Sequence, residues 1–258
     1  MQITLTTNYP LIYVLVRSWN TFDLFDKCIN SILGQTYKNF KILFVDDASD
    51  YTRKQKDYIV TKLTGHSYIF NTKRRFSVFN GFHALEKFAD KTNSIVFVLD
   101  ADDSLLNNKV FEQIVEVYNK QGVLFTYGSN LFSNPLNNKP ENFSPFLNTE
   151  YPSVVKKHSL YRKDPFRVFH PMTFTLGLFR KIDRNAFMER PGLWFKYCFD
   201  LCTFLPMLEM ANGKYAFIRK KLYLYNTQTS LANIKVNPYE FVREDLLIRS
   251  KKPYDAIY

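Results

Sequence analysis

The chain has 258 residues and carries 35 Lys+Arg against 24 Asp+Glu, a net charge of +11, with 46% hydrophobic and 17% aromatic residues but only 8 Gly. Length and apolar content exclude a disordered chain and suffice for a sizeable core without disulfides or structural metal. No run approaches the roughly 18 apolar residues of a membrane span, and Met1 to Pro10 lacks the basic and apolar regions of a secretory signal, so a cytoplasmic protein is expected.

From Pro10 to Gly128 short apolar runs alternate with amphipathic stretches, the pattern of a doubly wound β-α-β-α sheet. Leu11 to Val16 reads as a strand, followed by a helix capped by Asn20 and ending near Gly34. Phe40 to Val45 is a second strand, Tyr51 to Thr64 a surface helix, and Ser67 to Phe70 a third strand. A helix runs through Val78, Phe82, Leu85 and Phe88, and Ile95 to Leu99 is a fourth strand. Val110 to Tyr118 and Val123 to Tyr127 add a helix and a strand.

Periodicity then disappears from Ser129 to Pro165, where Asn and Pro cluster, and a loop that long is expected to be a functional loop or lid. Regular pattern returns at Val168 to Phe179, then a helix from about Phe195 to Met210 that contains Pro206. Strands at Tyr215 to Phe217 and Leu222 to Tyr225 and a mixed-charge helix at Tyr239 to Ser250 follow. Neither repeat nor linker is evident, so residues 1–258 are expected to form one domain with an irregular second half.

Ligands of open α/β sheets bind outside the carboxyl ends of the strands. Three strand ends deliver polar clusters there: Arg17-Ser18-Trp19-Asn20, Asp46-Asp47 and Asp100 to Asp103. Carboxylates so gathered repel one another unless a cation intervenes, and Asp100, Asp102 and Asp103 are hard oxygen ligands suited to Mg²⁺ or Mn²⁺. Such ions keep positions open for phosphate oxygens, and Lys73-Arg74-Arg75 would face the same edge to neutralise a diphosphate. Neither GxGxxG nor GxxxxGK[ST] occurs, so phosphate is not expected in a glycine-rich cradle. Each motif alone has a plainer reading as helix cap, loop acid or solvated surface; their coincidence on successive strand ends carries the inference. Cys28, Cys198 and Cys202 read as reduced core thiols, since no metal-ligand spacing joins the last two to His170.

Taken together the motifs resemble the inverting glycosyltransferases of family 2, of GT-A fold. The resemblance rests on Ser18-Trp19-Asn20, then Ser31-Ile32-Leu33-Gly34-Gln35-Thr36-Tyr37, Val45-Asp46-Asp47-Ala48-Ser49 and Leu99-Asp100-Ala101-Asp102-Asp103, four motifs in order. It implies a Rossmann-like mixed sheet with helices on both faces, divided into a nucleotide-sugar half (10–128), an acceptor half (129–226) and a helical extension (227–258). It further implies that Trp19 and Asn20 lie at the nucleotide, Trp19 stacking on the base, and that Asp47 bonds the base. Arg74 would lie near the pyrophosphate, Asp102 by the ribose, and Asp103 on the metal with Asp100 in support. The general base it implies is Asp200 in Phe199-Asp200-Leu201, with Glu189 and Glu209 as fallbacks. Two departures stand out: Arg17 replaces a frequent proline, and Asn71-Thr72-Lys73 replaces Asn-x-Gly.

The implied reaction moves a sugar from a nucleoside diphosphate, UDP in the first instance, to a hydroxyl of a glycan, lipid-linked or protein acceptor, with peripheral membrane contact left open. Two alternatives remain. A nucleotidyltransferase of related fold would require a glycine-rich loop that this chain lacks. A nucleic-acid or anionic-surface binder could use the excess charge through Lys157, Tyr161, Arg162, Lys163, Phe166 and Arg167, though no nucleic-acid fold pattern accompanies them and nucleic acid is not the expected partner.

Overall fold

A computed structural model describes residues 9–133, 146–227 and 237–257. Strands β1 (Ile12–Ser18), β2 (Phe40–Asp46), β3 (Ser67–Phe70) and β4 (Ile95–Asp100) alternate with helices α1 (Phe22–Leu33), α2 (Arg53–Lys62) and α3 (Phe76–Phe88). Then come β5 (Ser104–Leu105), α4 (Val110–Gln121), β6 (Phe125–Phe132), α5 (Ser153–Lys157), β7 (Met172–Thr175), α6 (Leu176–Phe179) and a 3-10 turn (Arg184–Phe187). The hairpin β8 (Met188–Arg190) and β9 (Leu193–Trp194), helix α7 (Phe199–Ala211), strand β10 (Tyr215–Tyr225) and helix α8 (Pro238–Ser250) complete the described chain.

The main sheet has eight strands in the order β3-β2-β1-β4-β7-β6-β10-β5. β3, β2, β1 and β4 are parallel, whereas β7 runs antiparallel to both β4 and β6. Helical crossovers carry the chain outward from β1 to β3 and then back to β4 on the other side of β1, so the winding reverses between β1 and β4.

Strands at this centre are covered on both faces and read as continuous apolar runs. Tyr13, Leu15, Val96 and Val98 point into one core with α3, α6 and α7, while Ile12, Val14, Val16, Phe97 and Leu99 point into the other with α1 and α4. Helix α1 buries Phe25, Cys28, Ile29 and Ile32 and stops at Gly34; α2 starts on a capping box between Thr52 and Gln55. All three cysteines are free and buried.

Several boundaries differ from expectation for physical reasons. The cap of α1 is Thr21; Asn20 instead takes a left-handed turn (φ 53°) and accepts a hydrogen bond from the Asp50 N–H at 3.1 Å. β6 continues to Phe132, past the expected start of the loop. Residues 146–165 are not a free lid, because Leu147, Tyr151, Val155 and Tyr161 are buried in the fold. The Asn- and Pro-rich clusters and the Asn142-Phe143-Ser144 sequon lie outside the described residues. The two expected late strands are one, β10, whose register against β6 shifts between Ile218 and Tyr223 around the exposed bases Arg219, Lys220 and Lys221. Those bases break the period and hide the strand's continuity.

Helix α7 is apolar all round: each residue from Phe199 to Ala211 is buried except Asp200. Its first residue meets α3 at Gly81, where an added Cβ would lie 2.4 Å from Phe199 Cε2. Gly81→Ala is therefore expected to lose about 1–3 kcal/mol of stability from overpacking, outweighing the roughly 1 kcal/mol that alanine gains in a helix. A thermal midpoint several degrees below wild type, partly restored by adding Phe199→Leu, would show this; an unchanged midpoint would refute the contact.

Candidate active site

A cavity of about 460 Å³ opens beyond the carboxyl ends of β1, β2 and β4, where the winding reverses. Its size suits a small-molecule ligand. Trp19, Asp47, Arg74, Asp100, Asp102, Asp103 and Asp200 all line it, together with Arg17, His170 and Tyr225. Asn20 is exposed and outside that lining; it fastens the 46–50 turn, its N–H donating to Ser49 Oγ at 2.7 Å.

At one end, Asp47 organises the loop that enters α3. Its carboxylate accepts from Arg74 Nε (2.9 Å), Asn71 Nδ2 (3.2 Å), and the N–H groups of Arg75 (2.7 Å) and Phe76 (3.0 Å). Asp46, one residue earlier, is fully buried and bonded to Ser49 instead, so the two acids of this strand end have separate tasks. Held by Asp47, the Arg74 guanidinium lies over Trp19, its carbon 3.5 Å from the ring centroid. Lys73 and Arg75 are exposed, so of the basic run Arg74 alone enters the cavity.

The acidic strand end lies at the reversal itself. Asp103 is 3% exposed and accepts from Tyr223 Oη (2.6 Å) and from the Asn226 N–H (2.7 Å). Burial first, and then the charges of Asp102 and Asp100, push its carboxyl well above the usual carboxylate range. Ligand atoms of Asp100, Asp103 and His170 lie within 4.8 Å of one another. Asp102, half-buried, lines the cavity beside them. Burial lowers His170 to about pKa 4, which leaves a neutral imidazole at pH 7, the form that binds metals. Tyr223 connects all three: it donates to Asp103, accepts from the Asp100 N–H at 3.3 Å, and stacks on His170 with centroids 4.3 Å apart. Two carboxylates, one resisting ionisation for want of a counter-charge, and a neutral imidazole are a donor set that a divalent cation fits.

Arg17 is 13% exposed at its side chain and faces Asp100 across the β1–β4 register. Nε and Nη2 reach Asp100 Oδ1 at 2.9 and 2.8 Å, while Nη1 lies 3.8 Å from Asp200 Oδ1. Asp200 Oδ1 is buried and has no hydrogen-bond partner among the described residues. Burial raises the Asp200 carboxyl to about pKa 6; Arg17 opposes the rise and Asp100 adds to it. A carboxylate that is poorly bonded and titrates near neutrality has the properties of a general base.

The fallback acids are committed elsewhere: Glu209 is buried in a two-point pair with Arg162 (2.6 and 3.0 Å), and Glu189 pairs with Arg243 at 2.9 Å. Arg162 is thereby taken, Tyr161 is buried, and Arg167 pairs with Asp164, so the interleaved bases and aromatics near 157–167 form no single-strand groove. Arg17, His170 and Tyr223 are the residues that motif reasoning did not place in the carboxylate cluster; His170 resembled an acceptor-pocket residue and Tyr223 part of a closing strand. For Arg17 a signal existed, a charged residue at the last inward-facing position of a buried strand.

Similar folds occur among solved structures. The S. aureus TarS fragment 1–349 superposes with a TM-score of 0.65 at 15% identity, over 92% of this chain and 64% of that one. The same fragment in complex with UDP-GlcNAc gives 0.60 at 15% identity, over 86% and 60%. A Pyrobaculum calidifontis mannosyltransferase in complex with GDP-Man and Mn²⁺ gives 0.57 at 18% identity, over 98% and 68%. This chain thus spans less than two thirds of the TarS fragment, and at such identities the likeness concerns the fold. No curated protein matches the sequence. The sequence profile of glycosyl transferase family 2, however, matches residues 13–185, from β1 into the 3-10 turn and over more than half of the chain, and the chain belongs to that family.

Proposed function

We propose that this protein is a metal-dependent inverting glycosyltransferase that uses a nucleoside-diphosphate sugar, UDP-linked in the first instance, and an acceptor hydroxyl. The observation that supports this best is one cavity holding a carboxylate–imidazole cluster, an Arg–Trp pair and an under-bonded carboxylate. Residues 10–128 supply the donor side; α7 and α8 supply the acceptor side. That related folds have been seen with UDP, UDP-GlcNAc and GDP-Man agrees with a nucleotide-sugar donor.

Asp100, Asp103 and His170 would hold the cation, with Asp102 beside it at the ribose, and a mixed oxygen and nitrogen set favours Mn²⁺ over Mg²⁺. Bound there, the metal supplies positive charge to the departing diphosphate. Trp19 offers its ring to the base, and Arg74, once released from that ring, offers its guanidinium to the phosphates. Asp200 accepts the proton of the acceptor hydroxyl as that oxygen attacks the anomeric carbon. Arg17 holds Asp100 toward the cluster and keeps Asp200 ionisable near neutral pH.

Asp103→Ala is expected to abolish Mn²⁺-dependent stabilisation by UDP-sugars in a thermal-shift screen and to reduce transfer at least about 100-fold. Full retention of both would sink the metal assignment, and pyrophosphate release in the wild-type assay would replace the reaction with nucleotidyl transfer. His170→Ala is expected to weaken Mn²⁺ affinity about 10- to 100-fold, read by titration in the absence of any sugar nucleotide.

A base must be deprotonated to act, so kcat/KM should rise with pH through about 6 and then level off. Since Arg17 lowers the Asp200 pKa, Arg17→Met should move that rise to higher pH, and Asp200→Asn should remove activity while leaving donor binding in place. A pH profile that Asp200→Asn leaves intact would assign the base elsewhere.

A further inference from the structure

Of the eleven large apolar side chains exposed among the described residues, five gather on helix α8 and the hairpin beside it, while Tyr9, Tyr58, Tyr68, Leu131, Val154 and Ile257 lie on other elements or at the chain's ends. Tyr239 is 76% exposed, Val242 53%, Leu246 63% and Leu247 37%, and Leu193 at the hairpin is 40% exposed. Helical spacing puts Tyr239, Val242 and Leu246 on one stripe, opposite the buried Glu244 and Ile248. A helix packed on a core normally turns polar residues to water along that stripe. Here the face away from the protein is apolar, and such a face marks an interaction site.

The same helix takes part in the active site. Phe241, Asp245 and Arg249 on its inner side line the cavity, and the Glu244 carboxylate accepts from the N–H groups of Lys196, Tyr197 and Cys198 just ahead of Asp200. The stripe is therefore one helix diameter, about 10 Å, from the acceptor side of the site.

Charge decides what covers it. Each acid on the helix and hairpin is already bonded within the protein: Glu189 and Glu240 to Arg243, Asp245 to Arg249, and Glu244 to backbone. Exposed Arg184, Arg190, Lys196 and Lys252 then outnumber the exposed Asp183 and Asp255 nearby and leave this edge positive, in a chain of net charge +11. Arg184 lies over the Trp194 ring at 5.4 Å and Lys196 over Phe76 at 5.3 Å, so cations and aromatics adjoin the apolar stripe. Apolar stripe, flanking bases and aromatic neighbours are what a helix lying in the headgroup region of an anionic bilayer presents. Among the described residues no helix is long and apolar enough to cross a membrane, and lying on its surface needs none.

We propose that the outer face of α8, with Leu193 at its side, rests on an anionic lipid surface, so that an acceptor carried by that surface reaches the Asp200 end of the cavity. The acceptor clause rests on the glycosyltransferase reading; the docking surface does not.

Co-sedimentation without nucleotide separates the two. The full chain should pellet with vesicles of phosphatidylglycerol and phosphatidylcholine, only weakly with phosphatidylcholine alone, and less as salt rises. Val242→Glu with Leu246→Glu, both exposed, should weaken binding roughly tenfold or more while nucleotide-sugar binding and thermal midpoint stay as in wild type. Wild-type protein that stays in the supernatant with both vesicle types, or a double variant that pellets equally well, would overturn the proposal. So would a wild-type dimer in sedimentation velocity that the double variant dissociates, which would assign the stripe to a second copy.

Discussion

Three carboxylates, Asp100, Asp103 and Asp200, meet around the Arg17 guanidinium at the carboxyl ends of two neighbouring parallel strands, and the surrounding fold is arranged to make this tolerable. Asp100 and Arg17 are direct register partners on β4 and β1, so backbone pairing alone brings one opposite charge to the first acid. Among the described residues Asp103 has no ion-pair partner; Tyr223 and a backbone N–H donate to it, and burial with the neighbouring acids raises its pKa. Hydrogen bonds fix its position without supplying a counter-charge, which is the feature on which the proposed cation site rests.

Rigidity on the other side of the cavity comes from α7. A helix buried on every side has no freedom to turn, and its one residue outside the packing is Asp200. Phe199 is wedged against Gly81 of α3, and Arg17 lies over the same ring at 5.1 Å. The orientation of Asp200 is thereby tied to β1 and α3. Phe199 thus joins the start of α7 to both of these elements.

Order and type of the elements up to β6, apart from the two-residue β5, were legible because parallel strands buried on both faces are unbroken apolar runs and the helices between them keep a 3.6-residue period. Asp47, Arg74, Asp100, Asp102, Asp103 and Asp200 were legible because they follow strand ends or open a helix, and all meet in one cavity. His170 and Tyr223 were not, because their roles arise from long-range pairing: β7 inserts antiparallel beside β4, and β10 follows β6, bringing residues some fifty to a hundred and twenty positions apart into one cluster. Asn20 is the stronger cap by type, but its left-handed backbone turns it away from the helix and leaves Thr21 at the cap position without a side-chain capping bond. The stretch 146–165 misled because its buried tyrosines follow neither the helical nor the strand period.

The Arg74 guanidinium stacked on Trp19 has a thermodynamic meaning for ligand affinity. In the free protein that aromatic face is not bare; it is already engaged by a cation that Asp47 holds in place. If, as proposed, a nucleotide base stacks on that face, it exchanges one stacking partner for another, and its contribution to binding is the difference between two contacts, with the released arginine free to pass its charge to the phosphates. A nucleoside without phosphates would displace the arginine and give it no new partner. Affinity for the base and affinity for the diphosphate are then one coupled quantity, and fragments of the donor should bind far more weakly than the sum of their parts in the whole molecule suggests.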